Sequence, residues 1–491
     1  MSMHRRDFID QTLRAAALTL AASGTTTLKA ADAESSRTVG PNDKIRVATI
    51  GCNGQGGAHI RELINIPEVD LVAVCDVDPA AYEKQSKSYK KMSTPPRYVQ
   101  DIRKLLEDKN IDAVTIATPN HWHALAAVWA MQAGKDVYVE KPCSHTVHEG
   151  RTMTQWARKL GRMCQMGVQS RSTTGMREVL DFIHSGRIGK VTTARAICYR
   201  GRNSIGLTGK EAPIPPGLDF DLWCGPAPKV VPKRAKLHYD WHWFWATGGG
   251  DITNQNPHEL DKARWGLQKQ ELPKRVLSMG GRLGYIDDAE VANCQVTVYQ
   301  WDDATIISDV RGLPIKTPID FGLKGGPFKG AGDIWHGTDG YVVAIGYFGG
   351  VAYDNSGNQI GSWKGGEYRQ HFENFLKAVR SRNHKDLNLD IEDGHLSSAL
   401  AHLGNVSMRS GEAIPGPTRP SNLIDNPHVA QTLESFDDYL KENKVDYTET
   451  KFYLGKPLVI DPKTELSTDE KCNQLFTREY RKGFELPEVN G

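Results

Sequence analysis

Residues 112–142, DAVTIATPNHWHALAAVWAMQAGKDVYVEKP, decide the fold. Residues 112–117 are a short apolar, β-branched run, and Thr118-Pro119-Asn120 breaks it. Residues 121–132 carry Leu125, Val128 and Trp129 at helical spacing, and Gly134 stops that helix. Residues 136–139 are the next strand, with Glu140-Lys141-Pro142 at its carboxyl end. In open α/β sheets ligands bind at the carboxyl ends of strands. This stretch therefore brings a polar loop and a lysine to one edge, one strand apart.

Upstream, residues 44–50 (KIRVATI) form a strand and GCNGQGG follows at 51–57, with a helix from about Ala58. Strand, glycine loop and helix make a dinucleotide-binding arrangement. The helix amino end offers N–H groups and a positive dipole to a pyrophosphate. The candidate cofactor residues are Gly51, Asn53, Gly54, Gln55 and Gly56. Asn53 stands at the middle position of G-x-G-x-x-G, and asparagine tolerates a left-handed backbone better than other non-glycine residues. The strand at 70–75 ends in Asp76, twenty positions after Gly56. A carboxylate there accepts both ribose hydroxyls and repels a 2′-phosphate, so NAD is favoured over NADP.

The chain of 491 residues is too long for one ordinary core. Its formal net charge of +2, without a long basic run, argues against nucleic-acid binding. The eight cysteines show no CxxC and no zinc spacing, so no metal site is expected. Arg5-Arg6, the weakly apolar stretch 15–22 and Ala31-Asp32-Ala33 read as a twin-arginine export signal over residues 1–33, with a linker at 34–43. This predicts the twin-arginine machinery as a partner and a periplasmic or secreted protein. No run is long enough to span a bilayer.

Composition shifts beyond Gln169. Helices are expected at 173–185, 368–381 and 394–410, and strands at 191–200, 292–300, 304–311 and 341–353. A long loop fills 205–232. GGGD at 248–251 opens a helix carrying His258 and Asp261 on one face. The predicted domains are a Rossmann domain at 44–167, an α/β domain at 168–415 with a large open, mostly antiparallel sheet, and a wrapping extension at 416–491 that includes a helix at 429–442.

TPN at 118–120, His123, AGKDVYVEKP at 133–142, and GGG at 248–250 followed by His258 and Asp261 resemble the Gfo/Idh/MocA family. The resemblance covers residues 44–415. It implies hydride exchange between a nicotinamide cofactor and a sugar, polyol or related carbonyl compound, and pairing into a homo-oligomer through the open sheet. It assigns Lys141 to the substrate oxygen and His258 to acid/base catalysis, histidine titrating near neutrality. Thr118, Pro119, Asn120 and His123 line the nicotinamide side, with Glu140 orienting the lysine, and His121 starts a helix. Gln169 and Arg171 resemble the substrate-contact segment. Trp241, within the aromatic run 239–245, is a candidate sugar-stacking residue. Four residues before His258 the family commonly has aspartate. Here Asn254 stands there, which either argues against simple dehydrogenase turnover, the ground for a binding protein, or hands the acidic role to Asp261 or Asp251.

An exported enzyme has no free NAD outside the cytoplasm, so the cofactor is expected to stay bound and cycle within one site. Three readings follow: an oxidoreductase acting on a carbohydrate, a redox-neutral glycosidase working through a transient keto-sugar, and a carbohydrate-binding protein that has lost turnover.

Overall fold

The computed structural model describes residues 40, 42–229, 234 and 236–489. The export signal and most of the linker lie outside the described residues.

Six strands form the first sheet: β1 (Ile45–Ile50), β2 (Val69–Cys75), β3 (Arg97–Val99), β4 (Ala113–Ile116), β5 (Asp136–Glu140) and β6 (Cys164–Gly167). All are parallel, in the order β3-β2-β1-β4-β5-β6. Every residue of β4 and β5 is buried. Parallel strands covered on both faces are continuously apolar for this reason. The chain reverses direction between β1 and β4, and the carboxyl ends there open into a crevice. The helix Asn120–Gln132 is buried almost all round, because Phe484 near the carboxyl terminus packs on its outer tryptophans, Trp122 and Trp129. Another layer comes from far along the chain: Phe372, Phe375 and Leu376 of the helix Arg369–Ser381 pack with Val47 and Tyr138.

The second sheet is mixed. Its strands β7 (Val191–Tyr199), β8 (Arg275–Gly281), β9 (Cys294–Gln300), β10 (Thr305–Arg311), β11 (Ala331–Gly337), β12 (Gly340–Ile345), β13 (Gly349–Asp354), β14 (Gln359–Lys364), β15 (Glu412–Ile414) and β16 (Phe452–Leu454) run in the order β14-β13-β12-β11-β7-β10-β9-β8-β16-β15. Only the β7–β10 pair is parallel along this path. Successive residues point to opposite faces. Ile306 thus joins Leu260, Leu400 and Leu403 of the helical layer, while Ile307 meets Leu433 and Phe436 on the other side. Each fully buried leucine or phenylalanine contributes roughly 1.5–3 kcal/mol.

The structure amends several expectations. Residues 205–232 include a short helix, Phe220–Cys224. The helix expected from GGGD is two helices, Asp251–Asn254 and Pro257–Gly266, because Pro257 lacks the N–H that would continue the first and starts the second at its opening position. The extension does more than wrap: β16 inserts between β8 and β15, and Leu458–Asp461 pairs with β8. Its helix Pro427–Glu442 covers β8–β10 on the outer face. All eight cysteines are buried thiols outside any disulfide, packed as small apolar side chains.

Candidate active site

The crevice at the switch point holds a cavity of about 310 Å³. Gly51 follows β1 with φ +78°, and a Cβ on it would sit 2.8 Å from the Ala117 carbonyl carbon. A Cβ on Gly56 would fall 1.7 Å from the Gly51 oxygen, whereas one on Gly54 meets nothing within 4 Å. Two glycines therefore allow the tight turn, and the third leaves the helix amino end of Gly54–Leu63 open to a ligand. Asn53 has φ −73°, so the left-handed conformation expected of it is carried by Gly51 instead. Its side-chain oxygen accepts from Lys84 Nζ (2.8 Å). Gly56→Ala is expected to destabilise the fold by roughly 1–3 kcal/mol and to empty the nucleotide site; thermal melting and the nucleotide content of the purified variant measure both.

Asp76 ends β2 and accepts from the backbone N–H of Cys52 (2.8 Å) and of Asp78 (3.0 Å). Burial raises its pKa, and those two donors oppose the rise. The carboxylate so held faces the cavity beside the glycine loop, and each oxygen keeps a lone pair for a ribose hydroxyl. Glycine cradle, open helix end and acid at the end of β2 fit a dinucleotide.

At β5, Glu140 Oε1 accepts from Gln55 Nε2 (3.1 Å) and Gln169 Nε2 (3.1 Å) and meets His59 Nε2 at 3.0 Å. Burial pushes this carboxyl up, but the His59 hydrogen bond and nearby positive charge hold it at about 2, so it stays ionised. Glu140 thereby ties the glycine helix to the strand that presents Lys141. The Lys141 Nζ donates to the Asn254 carbonyl (2.5 Å), which leaves two N–H donors for another ligand. Burial lowers its pKa, against the pull of Glu140. The ring of His123 meets the carbonyls of Pro142 (Nδ1, 2.6 Å) and Thr118 (Nε2, 2.8 Å), stapling the loops after β4 and β5 together. His121 is fully buried, its Nε2 donating to the Trp223 carbonyl (3.0 Å).

Of the expected residues, Gly51, Asn53, Gly54, Gln55, Asp76, Thr118, Pro119, Asn120, His123, Glu140, Lys141, Trp241 and Asn254 line this one cavity. Gly56, Gln169, Arg171, His258 and Asp261 do not. Gln169 donates to Tyr138 (3.0 Å) and Glu140. Arg171 and Asp261 bind each other through two hydrogen bonds of 2.7 and 2.9 Å, and Ser397 Oγ donates to the same carboxylate. The ring of His258 lies 5.0 Å from that of Tyr347, and its Nδ1 has no partner. Burial, then the charge of Lys141, pushes its pKa well below the ordinary histidine value. Asp251 is paired with Arg202 (3.0 and 2.8 Å), which in turn donates to the Tyr239 hydroxyl (2.9 Å).

Sequence reasoning gave His242 no role, yet it lines the cavity with Lys141 and Asn254. Its Nδ1 donates to the Tyr239 carbonyl (2.6 Å), and its ring stacks on Trp241 at 3.6 Å. Burial and the charge of Lys141 hold its pKa at about 3 against the Tyr239 carbonyl. The imidazole is thus neutral, with Nε2 as its acceptor. The available signal was a histidine among five aromatics in 239–245.

Two matches to one family lie along the chain. Residues 45–168 match the NAD-binding Rossmann fold of the Gfo/Idh/MocA oxidoreductase family, and residues 177–329 match the C-terminal alpha/beta domain of that family. A glycosyl hydrolase family 109 protein of Shewanella pealeana is 29% identical over 159 residues, 31% of this chain and 35% of the relative. An alpha-N-acetylgalactosaminidase of Shewanella oneidensis is 30% identical over 159 residues, 31% of this chain and 34% of the relative. The chain thus aligns with about a third of the length of these curated relatives. The WlbA dehydrogenase of Bordetella pertussis, solved with NADH and UDP-GlcNAcA, superposes with TM-score 0.54 at 20% identity over 74% of this chain and 95% of that one. GenD2 from gentamicin A biosynthesis, solved with NAD, gives 0.52 at 21% over 74% and 94%. At these identities the likeness is one of fold. The two family matches together span more than half of the chain, and the protein belongs to the Gfo/Idh/MocA oxidoreductases, with the NAD-binding Rossmann domain at residues 45–168.

Proposed function

We propose that the protein is an NAD-dependent enzyme that cleaves a glycoside through a transient ketone, with no net oxidation. The observation that carries this is the pairing of Lys141 Nζ and the neutral ring of His242 in one cavity with the nucleotide loop. NAD, held by the glycine loop and Asp76, would supply a reversible acceptor for a carbinol hydride. The chain supplies the rest. Lys141, tethered by Asn254, holds the reacting oxygen with its remaining donors and polarises it as a ketone forms. His242, fixed as the tautomer with hydrogen on Nδ1, orients the carbinol hydroxyl at Nε2; with its pKa held down it takes that proton only as the hydride departs, when the hydroxyl becomes strongly acidic. A ketone acidifies the neighbouring C–H; loss of that proton expels the aglycone as its alcohol, water adds across the resulting C=C bond, and reduction of the ketone restores the hydroxyl, so that the sum is glycoside plus water giving sugar plus aglycone. Trp241 backs the imidazole and leaves a flat apolar face for a sugar ring.

His242 also bears on the reading of a binding protein without turnover. That reading rested on Asn254, and the acid/base group missing at 254 is supplied at 242. The family 109 names of the relatives, which align over about a third of their length, support cleavage. Net oxidation of one sugar coupled to reduction of another is the second reading, favoured by the dehydrogenase fold. An exported enzyme, as the leader predicts, would need its NAD retained in either case.

The test is cleavage of a panel of aryl glycosides in D₂O by protein purified without added nucleotide. Aglycone release with deuterium at the carbon beside the ketone position, and no accumulation of NADH, is the expected result. Ketone accumulation with an added acceptor and no aglycone release would replace this reading with the second.

A further inference from the structure

The cofactor cleft has a roof, and the roof is tied down by the end of the chain. Residues 217–225 leave the second domain and return to the first. The backbone N–H of Asp219 donates to the Val77 carbonyl (3.0 Å), and Gln100 Nε2 donates to the Gly217 carbonyl (2.9 Å). Trp122 Nε1 donates to the Leu222 carbonyl (2.9 Å) and His121 Nε2 to that of Trp223. Gly225 lies so close to Trp122 that a Cβ would fall 2.2 Å from the indole. Leu222 and Trp223 then form one wall of the cavity, facing the end of β2 where Asp76 marks the adenosine half.

A strap crosses the back of this roof. Arg481 donates to the Gly225 carbonyl (2.7 Å), the Asp221 carbonyl (2.9 Å) and the Asp221 carboxylate (2.9 Å). Arg478 donates to the His121 carbonyl (2.6 Å) and pairs with the buried Glu149 (2.7 Å). Phe484 packs on Trp122 and Trp129, and Trp156 Nε1 donates to the Pro487 carbonyl (2.9 Å). One strap therefore grips both the roof and the helix bearing Asn120 and His123. Residues 217–225 carry a small cluster of their own, Leu218, Phe220, Trp223 and Cys224 with Leu237, and Leu222 reaches the first domain's core; the strap is the further tie that holds this packed roof to the helix bearing Asn120 and His123.

We infer that residues 478–487 are a retaining strap, holding the roof over the adenosine end so that NAD does not exchange with solution between turnovers. The inference rests on the NAD reading of the cleft and adds what closes it. It gives the carboxyl-terminal segment a function separate from the chemistry at Lys141.

Arg481→Ala removes the side-chain ties to both carbonyls and to the carboxylate, Asp221→Ala only the carboxylate one, and both residues lie away from the reacting groups. The probe is release of bound NAD chased by excess isotopically labelled NAD, with hydrogen exchange at the amides of 217–225 as a second readout. Wild-type protein is expected to keep its nucleotide through dialysis. Arg481→Ala should release it about tenfold faster or more and Asp221→Ala less so, the effect lying in the off-rate. The double variant should release it no faster than Arg481→Ala alone, which already lacks the Asp221 contact. Exchange at 217–225 should rise in parallel, at unchanged exchange in β4 and β5. Equal release and equal exchange in wild type and variants would overturn the strap and leave the NAD reading standing. A wild type that neither carries nor binds NAD would overturn the NAD reading, and hydrogen exchange at 217–225 would then still judge the strap by the same comparison.

Discussion

Lys141→Met is expected to lower kcat about 10²–10³-fold while the bound nucleotide stays in place. The side chain has one task in this geometry. Its ammonium is anchored on the Asn254 carbonyl and points into the cavity that His242 also lines. The nucleotide loop makes its own turn from Gly51 and Gly56 and does not depend on the lysine. Burial already works against the charged form of Lys141, so methionine relieves a desolvated cation and should leave the melting temperature unchanged or higher. Lys141→Arg restores charge but presents a planar fork in place of a compact ammonium, and should recover little activity. Steady-state kinetics, nucleotide content and melting of both variants read these effects separately. A methionine variant with wild-type turnover would remove Lys141 from the chemistry.

Asp261→Ala should instead cost stability, about 3–5 kcal/mol, by leaving the Arg171 guanidinium buried without its partner. Both side chains are almost fully inaccessible, at 7% and 0% exposed, and they share two hydrogen bonds. Arg171 also lies over Trp265 at 4.5 Å, so it cannot swing to solvent without unpacking the helix Pro257–Gly266. The double variant Arg171→Met, Asp261→Leu should regain most of the loss, because replacing a buried pair by apolar groups removes two desolvation costs together. Calorimetric melting of the three proteins makes the comparison. If Asp261→Ala melts like wild type but loses kcat/KM, the pair belongs to substrate binding and not to the scaffold.

Both residues were singled out in the sequence for one reason, proximity to a recognisable motif, and the structure separates them. Lys141 ends a strand whose neighbours are fixed by local pattern. The unit 112–142 folds as its sequence predicts: β4 at Ala113–Ile116, a helix at Asn120–Gln132, β5 at Asp136–Glu140, and Gly134 at φ +79° just past the helix. Such a unit is legible because parallel buried strands and a capped helix leave contiguous signals a few residues long. The glycine loop and Asp76 are legible for the same reason. The middle glycine position was misread only in its backbone: Gly51 takes the positive φ that Asn53 was given.

Asp261 shares a helix with His258, but a helix face does not say what it meets. It meets Arg171 of an earlier segment and Ser397 of a later one, and neither contact leaves a mark in local periodicity. His242 was hidden likewise, since a histidine in an aromatic run reads as core until Asn254 and Lys141 are placed around it. The edge strand Phe452–Leu454 is three residues long, too short to show alternation, and its place is set by β8. The sequence by itself determined the parallel unit, the nucleotide cradle and the lysine at the strand end, all built from neighbours in the chain. Only the tertiary structure decided that His242 lines one cavity with that lysine, which charges neutralise each other in the core, and that the last residues of the chain hydrogen-bond to residues 217–225 and to the helix Asn120–Gln132. Those contacts join residues tens to hundreds of positions apart, and they form only when the layers pack.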